Sequence, residues 1–426
     1  MAASFDPADA EFMQRALRLA PRGEGRVEPN PMVGAVLVRN DRVLAEGWHG
    51  RFGGPHAEIE ALRACAVRHG ADAARGATCY VTLEPCCHHG KTPPCTDALI
   101  AAGVARVVAA MRDPFPEVAG RGIRTLRRAG VRVDVGLLEE QAAWVNRAFV
   151  HRVTTGRPWV TLKWAQSLDG KIATHAGASR WISSEASRRE VHRLRGRMDA
   201  VIVGVGTVLA DDPELTCRHV RPRRVATRVV LDSRLRTPHS AKLVYTAKQT
   251  PTLIFTSAAA PSARRKALER AGCEVCIVAS WRMRSATLSK RASLPRMYRT
   301  ATVSERRVPP RLIRTATVRQ RPLLSPRAVL DELGRRNMTN VLVEGGGCVL
   351  GSFFDAGLAD EAVVFVAPCL IGGADAPGPL HGLGRTAVPS LQDADVIECR
   401  SCGPDRMWRL RLSPARARSR RAKNGP

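Results

Sequence analysis

His56-Ala57-Glu58 heads one helical segment. Thr82-Leu83-Glu84-Pro85-Cys86-Cys87-His88-His89-Gly90-Lys91-Thr92-Pro93-Pro94-Cys95 leads into the next. The apolar spacing of His56 to His69, with Ile59, Leu62 and Ala66 on one face, predicts a helix. Ala77 to Leu83 reads as a strand, and Thr96 to Ala102 as a helix that Gly103 stops. Val104 to Ala109 is the next strand. On the other side, Asp9 to Ala20 predicts an opening helix, Val33 to Val38 a buried strand, and Arg42 to Gly47 its hairpin partner. The order strand, strand, helix, strand, helix, strand is that of an α/β layer domain rather than a helix bundle.

The residue types in this stretch suit a metal. Catalytic zinc takes three protein ligands and leaves the fourth tetrahedral position to water. His56, Cys86 and Cys95 supply an imidazole and two thiolates. Glu58, two residues past the histidine, can face that water without binding metal and is the candidate acid–base residue. An H-x-E element followed by cysteines is the pattern of zinc-dependent base deaminases. A lone His-x-Glu arises often by chance; the ordered set with Pro85-Cys86 and a cysteine at a helix mouth does not. Cys87, beside Cys86, competes as a ligand, and the Pro-Cys order favours Cys86.

The chain has 426 residues, enough for two or three domains. No apolar run reaches the ~18 residues of a membrane span. The first twenty residues carry Asp6, Asp9 and Glu11, unlike a signal peptide, so the expected location is the cytoplasm. In a reducing compartment the twelve cysteines are ligands or small core residues rather than disulfides. Cys65 and Cys79 read as core. Cys273/Cys276 and Cys399/Cys402 have CxxC spacing, but the pairs lie too far apart in sequence to favour a second zinc site.

The formal charge of +28 has the look of a nucleic-acid binder. Its distribution argues against one. Arg282 to Arg327 holds thirteen Lys/Arg against Glu305 alone, and Arg416 to Lys423 adds five more, so 17 of the 28 excess charges sit in two segments. Within the first of these, Arg284-Ser285-Ala286-Thr287-Leu288 returns fifteen residues later as Arg299-Thr300-Ala301-Thr302-Val303 and again as Arg314-Thr315-Ala316-Thr317-Val318. Residues 282–326 are therefore expected to be a mostly disordered insertion in a surface loop, and 416–426 a basic tail.

A second α/β pattern begins at Trp159. Strands are expected at Trp159 to Ala165, Ala200 to Val205, Arg228 to Leu231, Pro251 to Thr256 and Val341 to Val343, with helices at Ser184 to Arg197 and Ala328 to Arg336. Polar residues crowd the stretch from Lys163 to Arg218. Val343-Glu344-Gly345-Gly346-Gly347 follows a strand, where glycines can admit a phosphate to a helix N-terminus. The run is not GxGxxG, so it does not announce a Rossmann fold.

Asn30-Pro31-Met32-Val33-Gly34, His56-Ala57-Glu58, Glu84-Pro85-Cys86, the stretch His88 to Cys95 and Asp113-Pro114 resemble the deaminase half of the bifunctional riboflavin-biosynthesis deaminase/reductases. Ser167-Leu168-Asp169-Gly170-Lys171, Asp211-Asp212-Pro213 and the Glu344 glycine run resemble its reductase half. The resemblance implies a cytidine-deaminase-like three-layer α/β/α domain over 1–150, followed by a dihydrofolate-reductase-like α/β domain over 156–415. It implies one Zn2+ per chain and NADPH. The small-molecule substrate would be a phosphoribosylaminopyrimidine, deaminated first and then reduced at C1′ of its ribose.

By the same resemblance, Asn30, His49, His88 and Lys91 would contact the deaminase substrate. Ala165, Trp181, Thr207, Asp211, Ser233, Gly346 and Gly347 would face the cofactor. Ser179, Arg195, Leu215, Arg218 and Glu344 would face the reductase substrate. Two alternatives stand beside this reading: a deaminase whose reductase half is impaired by the insertion, and a nucleic-acid base deaminase. The sequence leaves the choice between monomer and homo-oligomer open.

Overall fold

The computed structural model describes residues 5–88, 93–281, 323–385 and 394–412. The basic tail, Lys91 and nearly all of the repeat segment lie outside the described residues.

The chain opens with α1 (Pro7–Leu19), β1 (Gly34–Arg39), β2 (Arg42–Trp48), α2 (Ala57–His69), β3 (Thr78–Val81) and α3 (Cys95–Ala101). There follow β4 (Arg106–Ala109), α4 (Arg121–Arg128), β5 (Arg132–Val135), α5 (Glu139–Val145) and α6 (Arg147–Thr155). The five strands form one sheet in the order β2-β1-β3-β4-β5. The β1–β2 and β1–β3 pairs are antiparallel, and β3, β4 and β5 run parallel. Gly34 to Val38 are all buried, as expected of a strand covered on both faces. Asp6 caps α1 in a reciprocal capping box with Asp9, and Pro7 occupies the first helical turn, where its missing N–H costs nothing.

The inward face of α2 differs from the sequence expectation. Ala57, Glu58, Ala61 and Cys65 are buried, whereas Ile59 and Leu62 are only partly so and Ala66 is exposed. The reason is close approach. The helix rides so near β2 that a Cβ on Gly47 would fall 2.2 Å from the Ala57 carbonyl and 2.4 Å from the Ala61 nitrogen. Only small side chains fit against that strand, and the larger Ile59 and Leu62 turn aside. This rotation also carries Glu58 inward.

The second unit contains β6 (Trp159–Ser167), α7 (Glu185–Arg195), β7 (Ala200–Gly204), α8 (Val205–Asp211), β8 (Thr227–Leu231), α9 (Lys242–Tyr245) and β9 (Thr252–Thr256). It continues through α10 (Ser262–Arg270), β10 (Glu274–Ile277), β11 (Ser280–Trp281), β12 (Leu323–Leu324), α11 (Pro326–Arg335) and β13 (Asn340–Val343). It ends with α12 (Gly347–Asp355), β14 (Glu361–Ala367), β15 (Ala394–Cys402) and β16 (Asp405–Leu412). Nine of these strands make a sheet in the order β10-β9-β8-β7-β13-β6-β14-β16-β15. It is parallel from β10 to β14, and β16 and β15 are antiparallel.

Residues 323–326, the end of the stretch expected to be disordered, form β12, the Ser325 cap and the first residue of α11. β12 pairs antiparallel with β11, so the two ends of the repeat segment leave the second unit side by side.

The two units are joined by buried charge. Glu361 accepts Arg147 Nε at 3.2 Å, Trp159 Nε1 at 3.2 Å and Arg409 Nε at 2.5 Å. Arg197 reaches Glu24 at 3.0 Å on another part of the junction.

Candidate active sites

The first site forms where the N-termini of α2 and α3 converge. His56 is the N-cap of α2 but makes no capping bond; its ring is turned toward the cysteines instead. His56 Nδ1 lies 3.5 Å from Cys86 Sγ and 3.3 Å from Cys95 Sγ. These match the ~3.6 Å edge of a tetrahedron built from ordinary Zn–N and Zn–S bonds. Among the described residues this is the only cluster of three such side chains within ligating distance, so Cys273, Cys276, Cys399 and Cys402 form no second one. An imidazole and two thiols, two of them at helix N-termini, suit zinc chemically.

Charge in the cluster is already polarised. The hydrogen bond from Cys95, against the opposing effect of burial and with help from His56, pulls the Cys86 thiol down to about 4. The same bond drives Cys95 up. His56 is raised by its hydrogen bond to Cys86. Glu58, 4 % exposed, is pushed up to about 7 by burial and by the neighbouring Cys86. A carboxyl poised there can both take and give a proton near neutrality.

Glu84 shows why the Glu-Pro-Cys run sits as it does. Its buried carboxylate accepts the backbone N–H of Asp113 at 3.2 Å, Gly120 at 2.9 Å and Ile123 at 3.2 Å. It thereby ties the loop before Cys86 to the start of α4. Gly122 packs under the next residue, where a Cβ would lie 2.1 Å from the Pro85 carbonyl. Sequence reasoning quoted Glu84 only as part of the motif, and its position before Pro-Cys was the available signal.

His49 is 2 % exposed, stacks edge-on to His56 with ring centroids 5.2 Å apart, and anchors Nδ1 on the Pro55 carbonyl at 2.9 Å. Its buried Nε2 has no hydrogen-bond partner among the described residues. His88 is exposed at the end of the described loop. Asn30 is half-buried and borders a cavity of about 60 Å3 at the junction of the two units, shared with Asn146 and Thr339.

The second site is a cleft of about 1030 Å3 at the carboxyl ends of β6, β7 and β13, where crossovers in a parallel sheet open a crevice. Its wall includes Ala165, Trp181, Thr207, Asp211, Gly346 and Gly347 from the expected cofactor set. From the expected substrate set it includes Ser179, Arg195, Leu215, Arg218 and Glu344. Ser233 does not line it. That residue follows β8, one strand beyond the cleft, and its carbonyl accepts Ser257 Oγ at 2.7 Å.

The glycine run forms the turn from β13 into α12. Gly346 N–H donates to Thr207 Oγ1 at 3.2 Å. A Cβ on Gly345 would lie 3.1 Å from the Gly204 nitrogen, so this turn and the end of β7 need small residues to meet. On the cleft floor, Arg195 binds Glu344 through both carboxylate oxygens, and Lys163 Nζ lies 3.9 Å from the same group. Burial works against the Glu344 charge, but Arg195 and Lys163 prevail and hold it at about 2. Lys163 is lowered by its own burial.

Several wall residues carry no role in the sequence reading. Lys163 had a signal, a cation inside an apolar strand. His192, Glu214 and His381 had none, because nothing in their local sequence brings them to one cleft.

Residues 7–111 match the family model for the cytidine and deoxycytidylate deaminase zinc-binding region, and residues 158–405 match the RibD C-terminal domain. The riboflavin biosynthesis protein RibD of Aquifex aeolicus is 39% identical over 364 residues, covering 85% of this chain and 88% of that protein. The Escherichia coli protein of the same name is 38% identical over 397 residues, covering 93% and 97%. Acinetobacter baumannii RibD superposes with a TM-score of 0.75 at 33% identity, covering 95% of this chain and 99% of that one. A Thermotoga maritima diaminohydroxyphosphoribosylaminopyrimidine deaminase/5-amino-6-(5-phosphoribosylamino)uracil reductase gives 0.74 at 34% identity, with the same coverages. The two family models place a zinc-binding deaminase region before a RibD C-terminal domain, and with the full-length relatives they show that the chain belongs to the RibD family of riboflavin biosynthesis, a bifunctional enzyme with a deaminase and a reductase in one polypeptide.

Proposed function

We propose that the chain removes the 2-amino group of 2,5-diamino-6-(5-phosphoribosylamino)pyrimidin-4(3H)-one and then uses NADPH to reduce the ribosyl chain of 5-amino-6-(5-phosphoribosylamino)uracil to ribityl. The observation that carries the first step is the His56–Cys86–Cys95 cluster with Glu58 buried beside it. Zinc held there supplies Lewis acidity toward water. Glu58 takes a proton from the attacking water and returns it to the departing amine nitrogen, so water and the aminopyrimidine become the oxo product and ammonia. His49 presents Nε2, which has no partner among the described residues, to the pyrimidine, and Asn30, His88 and Lys91 are assigned to the same substrate.

Bound in the cleft, NADPH would supply a hydride for C1′, whose bond to the ring oxygen would break as that oxygen gains a proton and the ribose opens. The glycine turn and Thr207 would seat the cofactor with Trp181, Ala165 and Asp211, and Ser233 is assigned to the same cofactor from the loop after β8. Ser179, Arg195, Leu215 and Glu344 position the substrate, and Arg218 faces its phosphate. The acidic, non-signal-like first twenty residues support a cytoplasmic location. Among the described residues no helix is long and apolar enough to cross a membrane. A pyrimidine phosphate, not nucleic acid, is the partner.

Side-by-side assays of the deaminated compound with NADPH and with NADH test the cofactor choice. Preferential oxidation of NADPH supports it, and equal or preferential oxidation of NADH refutes it.

A further inference from the structure

The cations on the cleft wall are not equally available to a ligand. Arg195 is engaged by both oxygens of Glu344, and the two side chains are only 14% and 6% exposed. Lys163 faces the same carboxylate. That cluster is locked, because moving Glu344 would leave two buried cations uncompensated. Arg218 differs. Its Nη1 lies 2.6 Å from Glu214 Oε2, and both side chains are more than two-fifths exposed, at 41% and 43%.

This pair is not a helical accident. No helix covers residues 212–218. Leu215, 3% exposed, has φ +55°, and this left-handed turn brings residues 214 and 218 together. The Glu214 carbonyl is anchored by Arg228 Nη1 at 3.5 Å, whereas besides Arg218 its carboxylate meets Thr216 Oγ1 at 3.4 Å and feels the charge of Lys242. The backbone is held and the side chain can swing. While Glu214 is in place, Arg218 offers the cleft almost no net positive charge.

We propose that Glu214 is an internal competitor for the substrate's phosphate, holding Arg218 in the free enzyme and releasing it when a phosphorylated substrate enters. The proposal rests on the assignment of Arg218 to that phosphate. A water-exposed carboxylate pair is weak, and a phosphate with more charge and three acceptor oxygens displaces it. Glu214 thereby sets affinity for the phosphorylated substrate without touching the reacting carbon.

The test is Glu214→Gln in the full chain, with ammonia release by the first unit as the control for folding. KM for the phosphorylated aminouracil should fall about twofold to fivefold. KM for its dephosphorylated counterpart should not change, and inorganic phosphate should inhibit more strongly by the same factor. In an Arg218→Ala background the Glu214 substitution should have no further effect. An unchanged or raised KM, or an equal gain for the dephosphorylated compound, overturns the proposal. If the wild-type chain oxidises no NADPH, the reductase reading fails. Calorimetric titration with inorganic phosphate then decides the inference separately: Arg218-dependent binding that tightens in Glu214→Gln supports it, and binding that does not tighten refutes it.

Discussion

Arg195 Nε and Nη2 meet Glu344 Oε1 and Oε2 at 2.6 and 2.7 Å, joining the end of α7 to the end of β13 across 149 residues of sequence. Lys163 from β6 faces the same carboxylate, so three elements share one buried negative charge at the floor of the cleft. Glu344→Gln leaves two cations without a counter-charge. The expected cost is roughly 3 kcal/mol or more of stability in the reductase unit. Thermal unfolding followed by tryptophan fluorescence checks it, and an unchanged midpoint would contradict it.

The same pair gives a pH dependence of known sign. Glu344 sits at about 2 in the folded chain, below the ordinary carboxylate value of about 4.3. A depressed folded value means that the stabilisation is fully present above the unfolded value and fades as pH falls toward the folded one. Wild type should lose more stability than Glu344→Gln between about pH 5 and pH 2, and the two unfolding curves should converge in acid.

Glu58→Gln keeps size and removes the carboxylate proposed to move the proton. Ammonia release should fall at least about a hundredfold, while zinc content stays at one per chain. Cys86→Ser and Cys95→Ser should lose the metal as well. Elemental analysis on the assayed samples separates the two kinds of loss.

Gly122→Ala tests how α4 supports the metal loop. The added methyl would press on the Pro85 carbonyl, 2.1 Å away, beside a ligand that Glu84 holds in register. The expected cost is about 1–3 kcal/mol. Zinc occupancy should drop with it.

Much of the first unit was legible in the sequence. His56, Glu58, Cys86 and Cys95 advertise their chemistry through residue type and spacing, and the helices and strands between them follow apolar periodicity. The inward face of α2 was not legible, because it depends on how closely Gly47 lets the helix approach β2. In the second unit the glycine turn stood out. Strands β15 and β16 did not, because β15 buries only its last residue, Cys402, and β16 only Asp405 and Met407, so neither carries a sustained apolar pattern; β14 is a short apolar run that periodicity alone does not assign to a strand. The Glu214–Arg218 pair was equally hidden, since it needs a left-handed Leu215 that no local rule anticipates.

The pairing of Ser280 with Leu324 and of Trp281 with Leu323 brings the flanks of the repeat segment together. Replacing residues 282–322 with a two-residue Asn-Gly turn suits such an antiparallel pair. Both activities should stay within about twofold of wild type, since loop length carries little thermodynamic weight. Loss of reduction alone would show that the segment serves the second site.

The most direct test of the central claim is a two-step assay on one zinc-loaded preparation given the diaminopyrimidine phosphate. The account predicts stoichiometric ammonia without NADPH and, once NADPH is added, its oxidation in equal amount to yield the ribityl product. Ammonia release without any NADPH oxidation on the deaminated product, or no ammonia from this substrate at all, would contradict it.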